Sequence, residues 1–215
     1  MKLASSTGSD VPAVIADNLR LPRFSTELRR KPDVEGHLRQ LRRQRFMEQG
    51  NAVYIPPQAK AGLQASDESR FQLMEKVKEF LSSDRKVFLL LGDPGSGKST
   101  FSRALERDLW DAYKRDCDIP LHISLSAIDK PMHDMIVKQL RSFELTELQI
   151  REFKTHCKFV LICNGYDESQ QTHNPYITNQ LNEPGEWVGK MVISCRSEYL
   201  GVDYRDHFQP GDRNR

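Results

Sequence analysis

The sequence of 215 residues predicts an α/β fold in which helices cover both faces of a parallel sheet, giving three layers. Short apolar runs of strand length alternate along the chain with segments of helical periodicity. One of the apolar runs passes directly into a glycine-rich turn, and a segment with a helical apolar face follows that turn. A strand that leads through such a turn into a helix is typical of domains that bind phosphate groups.

The glycine-rich turn is Gly92 to Ser99, which reads G-D-P-G-S-G-K-S and follows the apolar run 87–91. It matches the G-x-x-x-x-G-K-[ST] loop of P-loop NTPases, in the strand–loop–helix setting that this motif needs. Lys98 is expected to reach the β- and γ-phosphates of a nucleoside triphosphate, and the Ser99 hydroxyl is expected to bind Mg²⁺. The residues predicted to bind the nucleotide here are Gly92, Asp93, Pro94, Gly95, Ser96, Gly97, Lys98, Ser99 and Thr100.

Periodicity predicts the remaining elements. Apolar residues recur every three or four positions in the predicted helices, which are 34–47, 67–81, 100–115, 132–143 and 144–154. The predicted strands are short and either continuously apolar or alternating, and they are 87–91, 119–125, 159–163 and 191–195. Because most of these strands are separated by helices, the sheet is expected to be parallel.

The beginning of the chain is basic, although the net charge of the whole chain is only +2. Residues 20–45 hold nine Lys or Arg against three acids. Residues 1–33 show little periodicity, several Ser, Pro and Arg, and few aromatics, so we expect disorder there, followed by a solvated basic helix. Gly50 and the Pro56-Pro57 pair mark a linker. The expected organisation is a basic, partly disordered extension over 1–50, a linker over 51–66 and a partial nucleotide-binding domain over 67–215.

Cysteine usage and hydropathy indicate a soluble, cytoplasmic protein. The four cysteines, at positions 117, 157, 163 and 195, lack the paired spacing of zinc ligands, so no zinc site is expected. No apolar stretch approaches the roughly 20 residues of a membrane span, and the start of the chain lacks the apolar core of a signal peptide. The basic helix could touch nucleic acid, but a solvated arm is the commoner role of such a run, so nucleic acid is not expected as a partner.

Candidate catalytic residues follow two of the predicted strands, because ligands bind at the carboxyl ends of strands in such sheets. The sequence N-G-Y-D-E, residues 164–168, comes directly after the run 159–163, and Arg196 comes directly after the run 191–195. One carboxylate can hold Mg²⁺ through its water shell while a second orients the attacking water. Glu168 is our preferred catalytic residue, with Asp167 next, and Arg196 is placed to sense the γ-phosphate. The predicted metal-side residues are Ser99, Asn164 and Asp167.

These three motifs, in this order, resemble the NACHT family of signalling ATPases within the STAND class of P-loop NTPases. The segments Y-I-P-P-Q-A-K (54–60), S-C-R-S-E-Y-L (194–200) and D-Y-R-D (203–206) are similar to fungal NACHT proteins that carry repeat domains. The resemblance implies a nucleotide-dependent conformational switch that prefers ATP, signals through its conformation, and binds protein partners or associates with itself. NACHT proteins continue beyond the arginine strand with a further strand, a helical segment and a winged helix, so we expect this chain to be a fragment.

One departure from the family pattern bears on catalysis. Asn164 stands where the family has the first aspartate of its Walker B motif, and an amide cannot supply the charge that holds the Mg²⁺ water shell. The chain is therefore either a weak ATPase or an interaction module that uses bound nucleotide to hold its shape. Two other interpretations stay open. Asn164 and Asp167 have the spacing of the guanine-reading N-K-x-D motif of GTPases, and Arg196 with Arg205 could serve a small-molecule kinase.

Overall fold

A computed structural model describes residues 33–48, 54–62, 66–114, 118–169, 173–199 and 208, and the described residues from Val34 onward belong to one compact unit. The segment before residue 33, which was expected to be disordered, lies outside these described residues. Cys117 and Arg205 lie outside them as well. The helices are α1 (Val34–Glu48), α2 (Leu73–Ser82), α3 (Lys98–Ala112), α4 (Met135–Arg141), α5 (Glu147–His156) and α6 (Pro175–Thr178). The strands are β1 (Gln58–Ala59), β2 (Phe71–Gln72), β3 (Val87–Leu91), β4 (Ile119–Ser124), β5 (Lys158–Asn164) and β6 (Val188–Cys195). Among these described helices, none combines the length and the apolar character that a bilayer span requires.

The main sheet has four strands in the order β3-β6-β5-β4, and every neighbouring pair is parallel. β6, the last of the described strands, lies between β3 and β5, where Leu89 pairs with Ile193 and Leu161 pairs with Met191. Because all four strands run in the same direction, their carboxyl ends lie at the same end of the sheet. The strands β1 and β2 form a separate antiparallel pair.

Alternate side chains of the sheet enter two different apolar layers. On one face, Val160, Ile162 and Val192 pack with α2 and α3. On the other face, Phe159 and Leu161 pack with α4 and α5. Helices therefore cover both faces of a parallel sheet, and the predicted three-layer α/β fold is confirmed.

Several element boundaries differ from the prediction. The helix predicted from residue 67 begins at Leu73, because residues 71–72 pair with β1 instead of continuing a helix. The helix predicted over 132–143 is confined to α4, since Asp134 before it and Glu144 after it have positive φ angles of 57° and 61°. α5 begins three residues later than predicted, at the capping box formed by Thr146 and Gln149.

Helix α1 packs against the domain, so the prediction of a solvated arm is wrong for this helix. Leu41 is fully buried and Leu38 nearly so. Arg45, which continues their face, donates two hydrogen bonds of 2.9 Å to the carboxylate of Glu106 in α3. Glu106 also accepts a 3.3 Å hydrogen bond from the backbone N–H of His122. His122 lies in β4, an edge strand of the main sheet. Glu106, held by Arg45, therefore supplies a hydrogen-bond acceptor to one backbone N–H of that edge strand.

Candidate functional site

The phosphate loop connects β3 to α3 in the setting that the sequence predicts. Residues 92–97 form the turn, and α3 begins at Lys98. Gly97 adopts the left-handed conformation with φ 86° at the helix N-cap, which a side chain would strain. Asp93, Pro94, Gly95 and Ser96 are exposed in the turn, and Thr100 is exposed in the first turn of α3. The loop therefore presents the unpaired N–H groups of a helix start to solvent.

Lys98 is held over the loop by backbone oxygens. Its Nζ donates hydrogen bonds of 2.6 Å to the carbonyl of Gly92 and 2.9 Å to the carbonyl of Asp93, with a longer 3.4 Å contact to Ser96 Oγ. These contacts keep the ammonium group within the loop. A phosphate bound there would face this charge at short range.

A cavity of about 580 Å³ opens beside the loop. Gly92, Asp93 and Lys98 line one side of it, and Gln58 and Lys60 from the β1 segment line another. The carboxyl half of β3 forms part of the wall. The cavity is large enough for the nucleoside part of a nucleotide whose phosphates lie on the loop.

Asn164, at the carboxyl end of β5, contacts the phosphate loop directly. Its Oδ1 accepts a 3.2 Å hydrogen bond from Ser99 Oγ in α3 and a 2.9 Å hydrogen bond from Ser194 Oγ in β6. Ser194 in turn accepts from the backbone N–H of Gly165 at 3.2 Å. The structure thus brings two of the predicted metal-side residues, Ser99 and Asn164, into contact. Ser194 was not among the predicted site residues, although a hydroxyl inside the apolar run V-I-S-C was a signal for it.

Asp167 pairs with Arg196. Its Oδ2 lies 2.8 Å from Nε of Arg196, and its Oδ1 accepts a 3.0 Å hydrogen bond from the backbone N–H of the same residue. The side chain of Asp167 is 6% exposed and that of Arg196 is 44% exposed. Asp167 was predicted to serve catalysis and the metal, and Arg196 was predicted to sense the γ-phosphate. The structure joins these two residues to each other.

Glu168 lies further toward solvent than Asp167. Its Oε2 accepts a 3.4 Å hydrogen bond from Ser126, which follows β4. Ser126 is a second hydroxyl that the sequence analysis missed. Its only signal was its position directly after the second predicted strand. Of the two acids at the carboxyl ends of the strands, Glu168 is therefore more accessible to solvent than Asp167.

Burial changes the ionisation of two cysteine thiols near the site. It raises the pKa of Cys195 to about 12, with the nearby Asp167 charge adding to the effect, and it raises the pKa of Cys163 to about 12. Both residues are therefore neutral thiols at physiological pH. Tyr166, between Asn164 and Asp167 in the chain, is fully buried and donates a 3.1 Å hydrogen bond to the carbonyl of His173. The loop that carries the acids is thus anchored by an internal side chain.

The donor set partly suits Mg²⁺. Within the described residues, no cluster of three or more His, Cys, Asp or Glu could hold a metal by itself. A magnesium ion that arrives with a nucleotide needs less from the chain, since phosphates and water supply most of its ligands. The hydroxyl of Ser99 fits that role, and the Oδ1 of Asn164 beside it could accept from a metal-bound water. Asp167 fits less well, because both of its oxygens already bind Arg196.

Comparison with known proteins adds no family assignment. No protein-family model matches this chain, and no curated protein matches it with significance.

Proposed function

We propose that this chain is a nucleotide-binding module that holds ATP with Mg²⁺ on the loop 92–100 and changes conformation with the state of the nucleotide. The observation that carries this proposal is the contact between Ser99 and Asn164, 65 residues apart in the chain. It joins the phosphate loop to the acid-bearing strand end, so one site holds loop amides, an ammonium group, a hydroxyl, two carboxylates and an arginine. That combination is suited to a polyphosphate and its cation.

In this proposal the residues of the chain divide the work of phosphate binding. The N–H groups of residues 97–99 bind the β-phosphate at the start of α3, and Lys98 leaves its backbone carbonyls to neutralise the β- and γ-phosphates. Ser99 would hold the Mg²⁺ that arrives with the nucleotide, and the ion would neutralise phosphate charge there. Arg196 binds the γ-phosphate, so the segment after β6 senses whether that group is present. Glu168 orients water toward it.

Hydrolysis is expected to be weak. A neutral amide at position 164 accepts hydrogen bonds but supplies no negative charge to the water shell of a cation. Asp167, which could compensate, already has both oxygens on Arg196. These two observations also favour the second candidate, a non-hydrolysing module in which the nucleotide stabilises the structure.

The GTPase interpretation is disfavoured by the positions of the two residues on which it depends. A guanine-reading Asn and Asp must face the base. Asn164 instead contacts Ser99 at the phosphate end of the site, and Asp167 contacts Arg196. We therefore propose ATP as the preferred nucleotide.

The signalling context of this proposal comes from the resemblance to NACHT proteins. On that basis we propose a cytoplasmic switch whose output is association with protein partners or with further copies of itself. Neither zinc nor nucleic acid takes part in the proposed function.

The test is calorimetric titration of the chain with ATP and Mg²⁺. Lys98→Ala should weaken binding by about 2–4 kcal/mol, roughly 30-fold to several hundredfold, because the phosphate charge loses its closest cation. Lys158→Ala removes an exposed lysine from the amino end of β5, at the end of the sheet opposite to the site. This variant should leave the affinity for ATP unchanged. Equal affinities in wild type and Lys98→Ala, or a clear preference for GTP, would refute the proposal.

A second measurement separates the two candidate functions. Asn164→Asp restores a carboxylate beside Ser99 and should raise the rate of ATP hydrolysis, whereas Glu168→Gln should lower whatever rate remains. If the wild-type chain binds ATP but does not hydrolyse it, the chain is the non-hydrolysing module. If wild type hydrolyses ATP at a substantial rate equal to that of Asn164→Asp, the amide of Asn164 does not weaken hydrolysis.

A further inference from the structure

The carboxylate of Asp167 is fully committed to one residue. Oδ2 lies 2.8 Å from the Nε of Arg196, and Oδ1 accepts the backbone N–H of Arg196 at 3.0 Å. With only 6% of its side chain exposed, Asp167 has little room to take a further ligand. A carboxylate that binds both the backbone and the side chain of an arginine fixes the start of that side chain as well as its charge.

The nitrogen that Asp167 binds determines what Arg196 can still do. A guanidinium group carries five N–H donors, one on Nε and four on the two terminal nitrogens. The ion pair is formed through Nε. The terminal nitrogens are the donors that bind phosphate oxygens in pairs. Arg196 is 44% exposed, so its side chain is accessible to a ligand while its Nε is held.

The position of Arg196 places this pair next to the phosphate loop. The carbonyl of Cys195 accepts a 3.3 Å hydrogen bond from the N–H of Gly92, the first residue of the loop. Ser197, on the other side of Arg196, lines the same cavity as Gly92 and Lys98. The arginine therefore leaves the main chain between a residue that is hydrogen-bonded to the loop and a residue that lines the cavity beside it.

We infer that Asp167 is a positioning residue for Arg196 and that, through this arginine, it sets how strongly the site prefers a nucleoside triphosphate to a diphosphate. This inference rests on the proposed function and departs from the sequence-based expectation of a metal-side or catalytic role for Asp167. A long arginine side chain has many rotamers, and ordering it on a ligand weakens binding. Asp167 orders it beforehand, so the γ-phosphate meets a preformed donor.

The test compares the full chain with Asp167→Ala, Arg196→Ala and the double variant. The probes are ADP and a non-hydrolysable ATP analogue, each titrated with Mg²⁺ and again with EDTA. Asp167→Ala should weaken binding of the analogue about three- to tenfold and leave ADP binding unchanged, as expected for the loss of one pre-ordered side chain. The factor should be the same in EDTA, and it should vanish in the Arg196→Ala background. Asp84→Ala, in an exposed turn before β3, is the matched control.

Asp167→Asn provides a second variant, which keeps an acceptor for the backbone N–H of Arg196. Its affinity for the ATP analogue should lie between that of wild type and that of Asp167→Ala. The inference is overturned if Asp167→Ala has no effect, weakens ADP equally, or weakens the analogue by the same factor in the Arg196→Ala background. An effect of Asp167→Ala that requires Mg²⁺ identifies a metal-side residue instead. Failure of the wild-type chain to bind either nucleotide has a different meaning, since it refutes the proposed function itself.

Discussion

Two arginine–carboxylate pairs in this molecule have the same chemistry and opposite surroundings. Arg45 and Glu106 are 10% and 0% exposed at the β4 edge of the sheet. Arg196 and Asp167 are 44% and 6% exposed at the carboxyl end of the strands. The first pair joins α1 to α3, and the second joins the segment after β6 to the loop after β5. Both have nitrogen–oxygen distances of 2.8–2.9 Å, so distance does not separate them.

The difference in burial determines what each pair can do. Separating Arg45 from Glu106 would leave charges in an apolar environment, which makes this contact permanent while the domain is folded. Water can solvate Arg196 if its carboxylate contact loosens, so that arginine is able to take a phosphate as a second partner. The buried pair is therefore a structural element, and the accessible pair is suited to a site that responds to a ligand.

The largest effect is expected from breaking the buried pair. Glu106→Gln keeps the size of the side chain but removes the carboxylate that faces Arg45, so the free energy of unfolding should fall by about 3–5 kcal/mol. Urea denaturation followed by circular dichroism measures this loss. Glu79→Gln is the matched control, because Glu79 forms an exposed ion pair with Lys76. A loss below about 1 kcal/mol in Glu106→Gln would mean that burial does not distinguish the two arginine pairs.

The next effect is a pH dependence that arises beside the same buried pair. Burial, with the charges of Arg45 and Arg103 adding to its effect, lowers the pKa of His122 from 6.5 to about 4. The unfolded chain therefore binds more protons between these two values than the folded chain does. Stability from this group is complete above pH 6.5 and is lost as the pH falls from 6.5 to about 4, by about 3 kcal/mol in total.

Unfolding free energies measured from pH 7.5 to pH 4 test this expectation. His122→Gln should reduce the slope in that window, and His156→Gln, at the exposed end of α5, controls for the removal of a histidine. An unchanged slope in His122→Gln would show that His122 titrates equally in the folded and unfolded states.

The smallest effect on stability is expected at the accessible pair. Arg196→Gln should lower the free energy of unfolding by only about 1 kcal/mol, because the exposed arginine contributes little and Asp167 keeps the backbone N–H of residue 196 as a donor. Denaturation under the same conditions as for Glu106→Gln measures this directly. A loss that equals that of Glu106→Gln would identify Arg196 as a structural residue and remove the contrast between the two pairs.

The sequence alone determined those parts of this protein whose conformation depends on residues that are adjacent in the chain. The loop 92–99 is contiguous, and its glycines and Lys98 specify a backbone shape whatever the rest of the chain does. The strands were also predictable, because the apolar runs 87–91 and 159–163 are too apolar to lie anywhere except inside a sheet covered on both faces. Helix starts were predicted less well, since a capping residue such as Thr146 competes with the apolar periodicity around it.

Only the tertiary structure decided which charges meet. Arg45 and Glu106 are 61 residues apart, and Asp167 and Arg196 are 29 apart. Both pairings depend on how the elements are arranged in space. The second pairing exists because β6 inserts beside β5, so that the residues after the two strands emerge together. Periodicity identifies the face on which a side chain lies, but it contains no information about the element that will pack there. That is why the sequence predicted a solvated basic helix around Arg45 and a metal-side Asp167, whereas the fold gives each of these two residues a specific partner.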